Sequence, residues 1–463
     1  MPKKKTALTI EERLQQALVP AEEQPYEVPE NWVWVRLGAF AETISKGTTP
    51  KGGSTAYVNE GVNFLRVENL TSDGYISHSK ITHITAEMHE NYLKRSILKA
   101  NDLLISIAGS LGKSAIVREC DLPINTNQAI AFVRLFADKI DVNYIRNTIE
   151  SPLINSVLTK QTKVTSIPNL TLEIIKDCPI PLPPLSEQQR IVERIEELFA
   201  KLDEAKERLQ EVADSFAVRK AAILHKAFTG ELTKQWRWEN GVSDESWEEK
   251  TIGEICSSLK YGTSKKSSDD GEVVVLRMGN LQNGEIDWSN LAYTSDEEDI
   301  KKYLLKSGDV LFNRTNSPEL VGKTSIYRGE MPAIYAGYLI KLDYEKNIVV
   351  GDYLNYYLNS SKAKEYYMQV KTDGVSQSNI NAKKIGEFEI PLPTLSEQHE
   401  IVRLIDDLLA RERAAKQATE QALASIDLMK KSILARAFRG ELGTNKASEE
   451  SALELLRQVL AEN

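Results

Sequence analysis

Hydrophobic residues recur with a helical period along two long stretches of the chain. From Ile191 to residue 228 the apolar positions step by four and three residues, which is the spacing of a coiled-coil helix. Arg219 interrupts this first series, and Glu412 and Thr419 interrupt the second. At about 1.5 Å per residue, the first stretch predicts a helix of roughly 60 Å. The predicted seam consists of Ile191, Ile195, Leu198, Leu202, Leu209, Val212, Phe216, Ile401, Ile405, Leu408, Ile426 and Ile433.

The two helical stretches belong to an internal repeat. Residues 180–233 align with residues 390–443 without a gap, and nearly half of the positions are identical. Each copy opens on prolines, which block a preceding helix, and continues with LSEQ. We expect Ser186 and Ser396 to cap the two helices. Because a whole domain separates the copies in sequence, we expect the helices to pack antiparallel.

The segment before each copy repeats more weakly and predicts an α+β fold. Short strand-like runs such as residues 63–67 and 273–278 alternate with turn residues. The pattern therefore predicts two homologous mixed α/β domains separated by two long antiparallel coiled-coil helices. The expected segments are an N-terminal helical extension at 1–26, a first globular domain at 27–184, a first helix at 185–241, a second globular domain at 242–389, a second helix at 390–445, and a C-terminal amphipathic helix at 446–463.

Composition limits the classes of partner. The formal net charge is −9, and residues 242–389 are acidic, so the chain does not resemble a nonspecific binder of polyanions. The net charge is still compatible with a protein that recognises a short DNA sequence through basic residues clustered at the binding surface. The three cysteines lie far apart, which fits a reducing compartment. No apolar run approaches the roughly 20 residues of a membrane span, so a cytoplasmic protein is the simplest expectation.

Motifs for catalysis are missing from the sequence. Residues 109–114 superficially resemble a phosphate-binding loop, but Ile107 stands where that motif requires glycine. We find no nucleophile elbow and no glycine-rich loop for a nucleotide or methyl donor. Three histidines at positions 78, 83 and 89 have no ligand partners at a zinc-like spacing, so no metal site is expected. The sequence therefore predicts a non-catalytic chain.

Two related domains on a rigid rod are suited to reading two features at a fixed distance. DNA fits this design, because its major groove recurs about every 34 Å. Base reading needs arginine, amide or hydroxyl side chains, and polar loops in both domains supply them. We expect residues repeated in both domains to be structural or phosphate-binding, because readers of different bases should differ. The DNA-binding candidates are Ser45, Lys46, Gly47, Thr48, Thr49, Lys51, Arg66, Asn69, Lys113, Asn125, Asn127, Gln128, Lys260, Tyr261, Thr263, Lys265, Arg277, Asn280, Asn313, Arg314, Asn316 and Lys323.

Several features together resemble the specificity subunit of type I restriction-modification systems. They are the LSEQ step after prolines, the long heptad helix, its AFxGEL ending with Trp236 and Arg237 beyond the first copy, and the duplication itself. The resemblance implies that each globular domain is a target-recognition domain for one half of a split DNA site. It further implies that the helices set the gap and dock two adenine methyltransferase (M) subunits, which restriction/motor (R) subunits join.

The resemblance also implies that this chain binds no cofactor, with S-adenosylmethionine, ATP and Mg expected on the partner subunits. The acidic residues at 269–270 and 296–299 should then face away from DNA or toward a partner. We expect the isolated chain to bind DNA weakly. A coiled-coil scaffold whose duplicated domains bind proteins is the alternative. A self-sufficient methyltransferase or nuclease is disfavoured, because no methyl-donor loop is visible.

Overall fold

The computed structural model describes residues 9–136, 139–160, 169–375 and 377–462. Helices and short strands alternate through both halves of this part of the chain, which confirms the predicted mixed fold. The helices are α1 (Ile10–Ala17), α2 (Val142–Glu150), α3 (Pro152–Lys160), α4 (Leu172–Lys176), α5 (Leu185–Phe228), α6 (Lys234–Asn240), α7 (Ile252–Ile255), α8 (Glu297–Tyr303), α9 (Gly351–Leu358), α10 (Ser361–Val370), α11 (Ala382–Gly386), α12 (Leu395–Ala437) and α13 (Ala452–Glu462).

The strands are short and fall into two matching series. The first series comprises β1 (Val33–Arg36), β2 (Ala41–Lys46), β3 (Val62–Leu65), β4 (Thr82–Ile84), β5 (Leu103–Ser106), β6 (Ser114–Ile116), β7 (Ile124–Thr126), β8 (Ile130–Leu135) and β9 (Pro179–Leu182). The second comprises β10 (Glu248–Thr251), β11 (Cys256–Tyr261), β12 (Val273–Leu276), β13 (Leu281–Gln282), β14 (Glu285–Ile286), β15 (Tyr293–Thr294), β16 (Val310–Asn313), β17 (Thr315–Asn316), β18 (Thr324–Ile326), β19 (Ala333–Tyr335), β20 (Leu339–Tyr344), β21 (Thr372–Asp373), β22 (Ser378–Asn379) and β23 (Glu389–Leu392).

The chain forms two compact units, and the division passes through both long helices. Unit 1 consists of the chain up to Arg208 together with the part from Ala422 onward, and unit 2 runs from Leu209 to Gln421. Each unit therefore contains the start of one long helix and the end of the other.

The two units share one sheet topology. In unit 1 the antiparallel order is β2-β8-β5-β6, and a second sheet has the order β4-β3-β7 with β3 and β7 parallel. Unit 2 repeats both sheets as β11-β20-β16-β18 and β15-β12-β19. In each unit the proline strand that precedes the long helix pairs antiparallel with the first strand of the domain. This match confirms that the two globular domains are homologous.

Within each unit the two long helices run antiparallel, as the repeat predicts. In unit 1 Lys430 lies 2.6 Å from Asp203, and Asp427 lies 3.9 Å from Lys206. Residue numbers therefore decrease along one helix as they increase along the other. In unit 2 Arg219 lies 2.9 Å from Glu412. The charged residues that interrupt the two apolar series therefore form an ion pair with each other.

The burial of the predicted seam varies along the helices. Ile191, Ile195, Phe216, Ile401, Ile405 and Ile426 are buried, and Leu198, Leu202, Leu209, Leu408 and Ile433 are half-buried. Val212 is 41% exposed, so the structure does not place it in the seam. In α12 the neighbouring Leu409 and Leu434 are buried instead of the predicted residues at 408 and 433, which shifts the packed face by one position.

The helix caps differ from those predicted. Because α5 begins at Leu185, Ser186 lies inside the first turn and is not the cap. The carbonyl of Pro184 instead accepts hydrogen bonds from the backbone N–H groups of Glu187 at 2.9 Å and Gln188 at 3.0 Å. In the second copy the hydroxyl of Thr394, not that of Ser396, accepts from the N–H of Glu397 at 3.4 Å.

The terminal helices α1 and α13 belong to the core of unit 1. Leu14 packs in the same apolar cluster as Leu456 and Leu460. Arg13 Nη1 also donates to the Leu460 carbonyl at 2.6 Å. Both ends of the described chain therefore stabilise the first unit.

Candidate functional site

Three loops that carry DNA-binding candidates converge in unit 1. The N–H of Thr48, just beyond β2, donates to the carbonyl of Thr126 at 3.1 Å. The N–H of Asn127 donates to the carbonyl of Leu65 at 3.2 Å, which joins the end of β7 to the end of β3. We call the surface formed by residues 45–51, 65–69 and 124–130 the unit 1 loop surface.

Unit 2 repeats this arrangement with the same backbone contacts. The N–H of Thr263 donates to the carbonyl of Tyr335 at 2.9 Å, and the N–H of Ala336 donates to the carbonyl of Leu276 at 3.0 Å. Residues 260–266, 276–280, 313–317 and 335–339 form the unit 2 loop surface. The structure therefore brings together loops that are far apart in sequence.

The glycines shared by the two loop surfaces have a structural function. A Cβ at Gly47 would lie 2.2 Å from the carbonyl oxygens of Thr126 and Asn127. A Cβ at Gly262 would lie 2.0 Å from the carbonyl oxygen of Tyr335. Any side chain would separate the loops at this crossing, so glycine recurs because of close backbone approach.

The shared asparagines are also structural. Asn69 Oδ1 accepts from the N–H of Arg66 at 3.0 Å, and Asn280 Oδ1 accepts from the N–H of Arg277 at 2.8 Å. Their Nδ2 groups donate to nearby carbonyls, at 3.2 Å for Asn69 and 2.9 Å for Asn280. Both side chains are buried, so neither reaches a base in this conformation.

Three further DNA-binding candidates are buried and engaged inside the chain. Asn125 Nδ2 donates to the carbonyl of Leu93 at 3.2 Å. Thr263 donates its hydroxyl proton to Asp299. Asn313 Oδ1 accepts from the N–H of Thr315 at 3.3 Å. The structure therefore assigns these three side chains to loop geometry, and the sequence pattern did not reveal their burial.

The exposed candidates of unit 1 form a mixed polar surface. Lys46, Lys113 and Gln128 are exposed, and Lys51 lies with its Nζ 5.4 Å from the centre of the Tyr92 ring. Arg66 contacts Glu68 at 2.7 Å. Ser45, Thr48, Thr49, Arg66 and Asn127 are half-buried.

In unit 2, two lysines that were predicted to contact DNA form ion pairs with carboxylates. Lys265 Nζ lies 2.7 Å from Asp296 and 3.7 Å from Asp299, and the hydrogen bond to Asp296 raises the pKa of this lysine. Two of the 296–299 acids thus lie beside a DNA-binding candidate, and the expectation that this group faces away from DNA or toward a partner stays a prediction. Lys260 lies 2.7 Å from Asp343. Burial acts to raise the pKa of Asp343, but hydrogen bonds from Lys260 and two neighbours outweigh it and lower the value to about 2.

The remaining candidates of unit 2 include two arginines. Arg314 stacks over Tyr261, with its guanidinium carbon 4.8 Å from the ring centre. Arg277 Nη2 donates to Asn290 Oδ1 at 2.9 Å and lines a cavity of about 300 Å³ together with Tyr338. Asn316 and Lys323 are half-buried, and Lys323 Nζ donates to Gln282 Oε1 at 3.0 Å. This surface offers guanidinium, amide and aromatic groups, the types that read base edges.

The LSEQ motif places a buried carboxylate at the start of each long helix. Glu397 Oε1 accepts from Arg237 Nη1 at 2.7 Å, and its Oε2 accepts from Trp247 Nε1 at 3.1 Å. Glu187 Oε2 instead accepts from Trp32 Nε1 at 2.8 Å and from Asn445 Nδ2 at 3.0 Å. Burial raises the pKa of Glu187. The sequence pattern showed the motif but not this difference in the partners of the two carboxylates.

The glutamines of the same motif connect each helix to its globular domain. Gln188 Oε1 accepts from the N–H of Asp141 at 3.0 Å, and Gln398 Oε1 accepts from the N–H of Val350 at 2.8 Å. Their amide groups donate back to the prolines before the helices, at 3.1 Å and 2.9 Å. The motif thus fixes the direction in which each long helix leaves the domain beside it.

Within the described ranges, no group of three or more histidine, cysteine, aspartate or glutamate side chains is arranged to hold a metal ion. The helices that the structure describes include none long and apolar enough to cross a membrane.

Comparison with known proteins identifies the family. Residues 29–214 and 244–424 match the family described as the type I restriction modification DNA specificity domain. The type I restriction enzyme EcoBI specificity subunit of Escherichia coli is 25% identical over 94% of this chain and 93% of its own length. The type I restriction enzyme StySPI specificity subunit of Salmonella potsdam is 26% identical over 94% of this chain and 96% of its own length.

Solved structures share the fold. The HsdS subunit from Thermoanaerobacter tengcongensis superposes with a TM-score of 0.63 at 21% identity, over 91% of this chain and all of that one. A chain from a study of complex assembly and conformational transition in the type I restriction-modification system gives a TM-score of 0.67 at 21% identity, over 90% of this chain and all of that one. With two copies of the specificity domain on two matching units, the chain belongs to the type I restriction-modification DNA specificity family.

Proposed function

We propose that this chain is the DNA-recognition subunit of a type I restriction-modification complex and catalyses no reaction itself. The observation that carries the proposal is the duplicated scaffold with two different loop surfaces. The backbone contacts beneath the loops are the same in both units, whereas the exposed side chains differ. A pair of readers for two different DNA sequences has this property. Family membership and the names of the relatives, which are specificity subunits, support the same function.

Each unit then reads one half of a split target. The side chains available for this are the exposed and half-buried candidates, because the buried ones are engaged inside the chain. In unit 1 they are Ser45, Lys46, Thr48, Thr49, Lys51, Arg66, Lys113, Asn127 and Gln128, and in unit 2 they are Lys260, Tyr261, Lys265, Arg277, Arg314, Asn316 and Lys323.

The long helices set the number of base pairs between the two half-sites. α5 runs without interruption from Leu185 to Phe228. Inserting seven residues into each long helix retains the heptad phase and lengthens it by about 10 Å, or roughly three base pairs. We expect the gap in the recognised sequence to grow by about this amount while both half-sites stay the same. An unchanged gap would contradict this function of the helices.

The partners in this proposal are double-stranded DNA, two methyltransferase (M) subunits that dock on the helices, and restriction/motor (R) subunits. S-adenosylmethionine, ATP and Mg belong to those subunits. Equilibrium dialysis tests this division, since the isolated chain should not retain S-adenosylmethionine and the complex with M subunits should. Retention by the isolated chain would favour a self-sufficient methyltransferase.

The first experiment is genome-wide sequencing of methylated adenine in the host with and without the gene. The chain should be co-expressed with its methyltransferase partner, so that a silent partner gene cannot hide the result. A split motif that disappears on deletion supports the proposal. Exchanging residues 27–180 for those of a relative should then change one half of the motif only. If no motif depends on the gene and no footprint appears with the partner present, the protein-binding scaffold regains support.

A further inference from the structure

One backbone position is equivalent in the two units but carries very different side chains. The N–H of Ile107 donates to the carbonyl of Ala129 at 2.8 Å, and the Ile107 carbonyl accepts from the N–H of Leu170 at 3.0 Å. In unit 2 the corresponding bonds run from Arg314 to Tyr338 at 3.1 Å and from Ile380 to Arg314 at 2.9 Å. Arg314 therefore occupies in unit 2 the backbone position that buried Ile107 occupies in unit 1.

The guanidinium of Arg314 is held in place by its neighbours. It lies over the Tyr261 ring, and its Nη2 donates to Asn379 Oδ1 at 3.2 Å. Nε is buried and has no hydrogen-bond partner in the part of the chain that the structure describes, so it is not presented to a ligand. Of the five N–H donors of a guanidinium, four lie on Nη1 and Nη2, and one of these four is given to Asn379. In the described structure no carboxylate forms a salt bridge with Arg314, in contrast to Lys260 and Lys265.

A β-ribbon lies beside this arginine. β17 pairs with β22, which forms a hairpin with β21, and Asn379 belongs to β22. The hairpin exposes Val375 and Gln377 near its tip. The DNA major groove admits a two-stranded ribbon, and a ribbon entering it would bring the neighbouring arginine close to base edges. The corresponding segment of unit 1, residues 161–168, lies outside the described residues.

We propose that Arg314 reads a guanine in the half-site that unit 2 recognises, through paired hydrogen bonds to O6 and N7. Tyr261 and Asn379 are positioning residues that hold the guanidinium plane. Unit 1 carries an aliphatic side chain at the same backbone position, so its half-site is read without this contact. The inference rests on the proposed function and names one residue that determines specificity within it.

The test uses the full chain in complex with its methyltransferase subunits and a library of DNA duplexes with randomised half-sites. Sequencing the bound and methylated duplexes gives the preference at each position. The exchange of residues 27–180 shows which half-site belongs to unit 2. Arg314→Ala should reduce the preference for guanine at one position of that half by about 10- to 100-fold and leave the other half unchanged. Arg314→Lys keeps the charge but not the planar fork, so it should lower the same preference.

Arg328→Ala is the matched control. This arginine also belongs to unit 2 but is paired with Glu285 and Asp352, so its removal should not alter the motif. Tyr261→Ala should weaken the guanine preference, and Tyr261→Phe should restore it because the ring is retained. Thermal melting of each variant complex identifies any variant that fails to fold. If Arg314→Ala fails to fold, Arg314→Lys provides the test.

Two results would overturn the inference and leave the proposed function intact. One is an unchanged motif with Arg314→Ala. The other is an equal loss of binding to all sequences, which would make Arg314 a phosphate contact. If the unaltered complex selects no split motif at all, the proposed function fails and the inference fails with it.

Discussion

The same substitution should have different effects at the two equivalent carboxylates of the LSEQ motifs. Glu397→Gln removes the negative charge opposite Arg237, whose side chain is only 8% exposed. Arg237 then retains Asp244 at 2.9 Å, but that carboxylate is largely exposed. Removing one partner of a buried ion pair destabilises by about 3–5 kcal/mol, and we expect the lower end because the second partner remains.

Glu187→Gln leaves no buried cation behind. The indole N–H of Trp32 and the amide of Asn445 donate to one carboxylate oxygen, and a glutamine oxygen can accept from both. The hydroxyl of Thr444 lies 3.4 Å from the other oxygen, and a hydroxyl can accept from the amide that would replace it. Replacing bonds to a charged acceptor by bonds to a neutral one loses about 1 kcal/mol, and removing a buried charge offsets this. We therefore expect a change within about 1 kcal/mol of zero at neutral pH.

The stability contributed by Glu187 should depend on pH. Because burial raises the pKa of Glu187 in the folded state, the folded chain binds this proton more tightly than the unfolded chain. The contribution of Glu187 to stability is fully present below its unfolded pKa and is lost as the pH rises through its folded pKa. The stability of the unaltered chain relative to Glu187→Gln should thus fall as the pH increases from about 4 toward neutrality.

Hydrogen exchange measured by mass spectrometry resolves the units separately. Peptides covering residues 245–256 and 389–402 should lose protection in Glu397→Gln, and peptides covering residues 30–40 and 180–195 should not change in either variant at neutral pH. Equal losses from both substitutions would refute the reasoning, because Arg237 would then contribute nothing beyond the neutral hydrogen bonds.

Three further predictions follow from packing. Gly262→Ala should lower the melting temperature, because its Cβ would meet a carbonyl oxygen, whereas Gly279→Ala has no neighbour within 4 Å and should change it little. Deleting residues 444–463 should make unit 1 sensitive to proteolysis, since α13 and Glu449 would be lost; equal resistance of the truncated chain would contradict this. In the native protein Cys120 should react rapidly with a thiol reagent, and Cys178 should react only after denaturation because burial raises its pKa; rapid labelling of Cys178 would contradict its burial.

Features that depend on local periodicity were predictable from the sequence. The long helices, their antiparallel pairing and the duplicated mixed domains follow from heptad spacing and repetition. The charged residues at 219 and 412 looked like separate interruptions, because nothing in a linear sequence shows that they face each other. Val212 fits the heptad spacing, but spacing alone does not show where the packed face shifts.

The candidate site was less accessible to sequence reasoning. Asn125 and Asn313 have the polar character of base readers, and only the tertiary structure shows that both side chains are buried inside the loops. Arg237 meets a carboxylate 160 positions away in the sequence, beyond the reach of any local pattern. The equivalence of Arg314 and Ile107 became visible through backbone hydrogen bonds, because the side chains themselves have nothing in common.

The division of the chain into two units also determines the order in which it can fold during synthesis. Unit 2 is continuous, so it can form as soon as the ribosome has released the chain to Gln421. Unit 1 requires the part from Ala422 onward, and its first 208 residues must wait roughly 10 to 50 s for that part to be made. A prematurely terminated product would therefore expose the unfinished core of unit 1 to chaperones and proteases. The cell would remove it before a protein with a single DNA reader could accumulate.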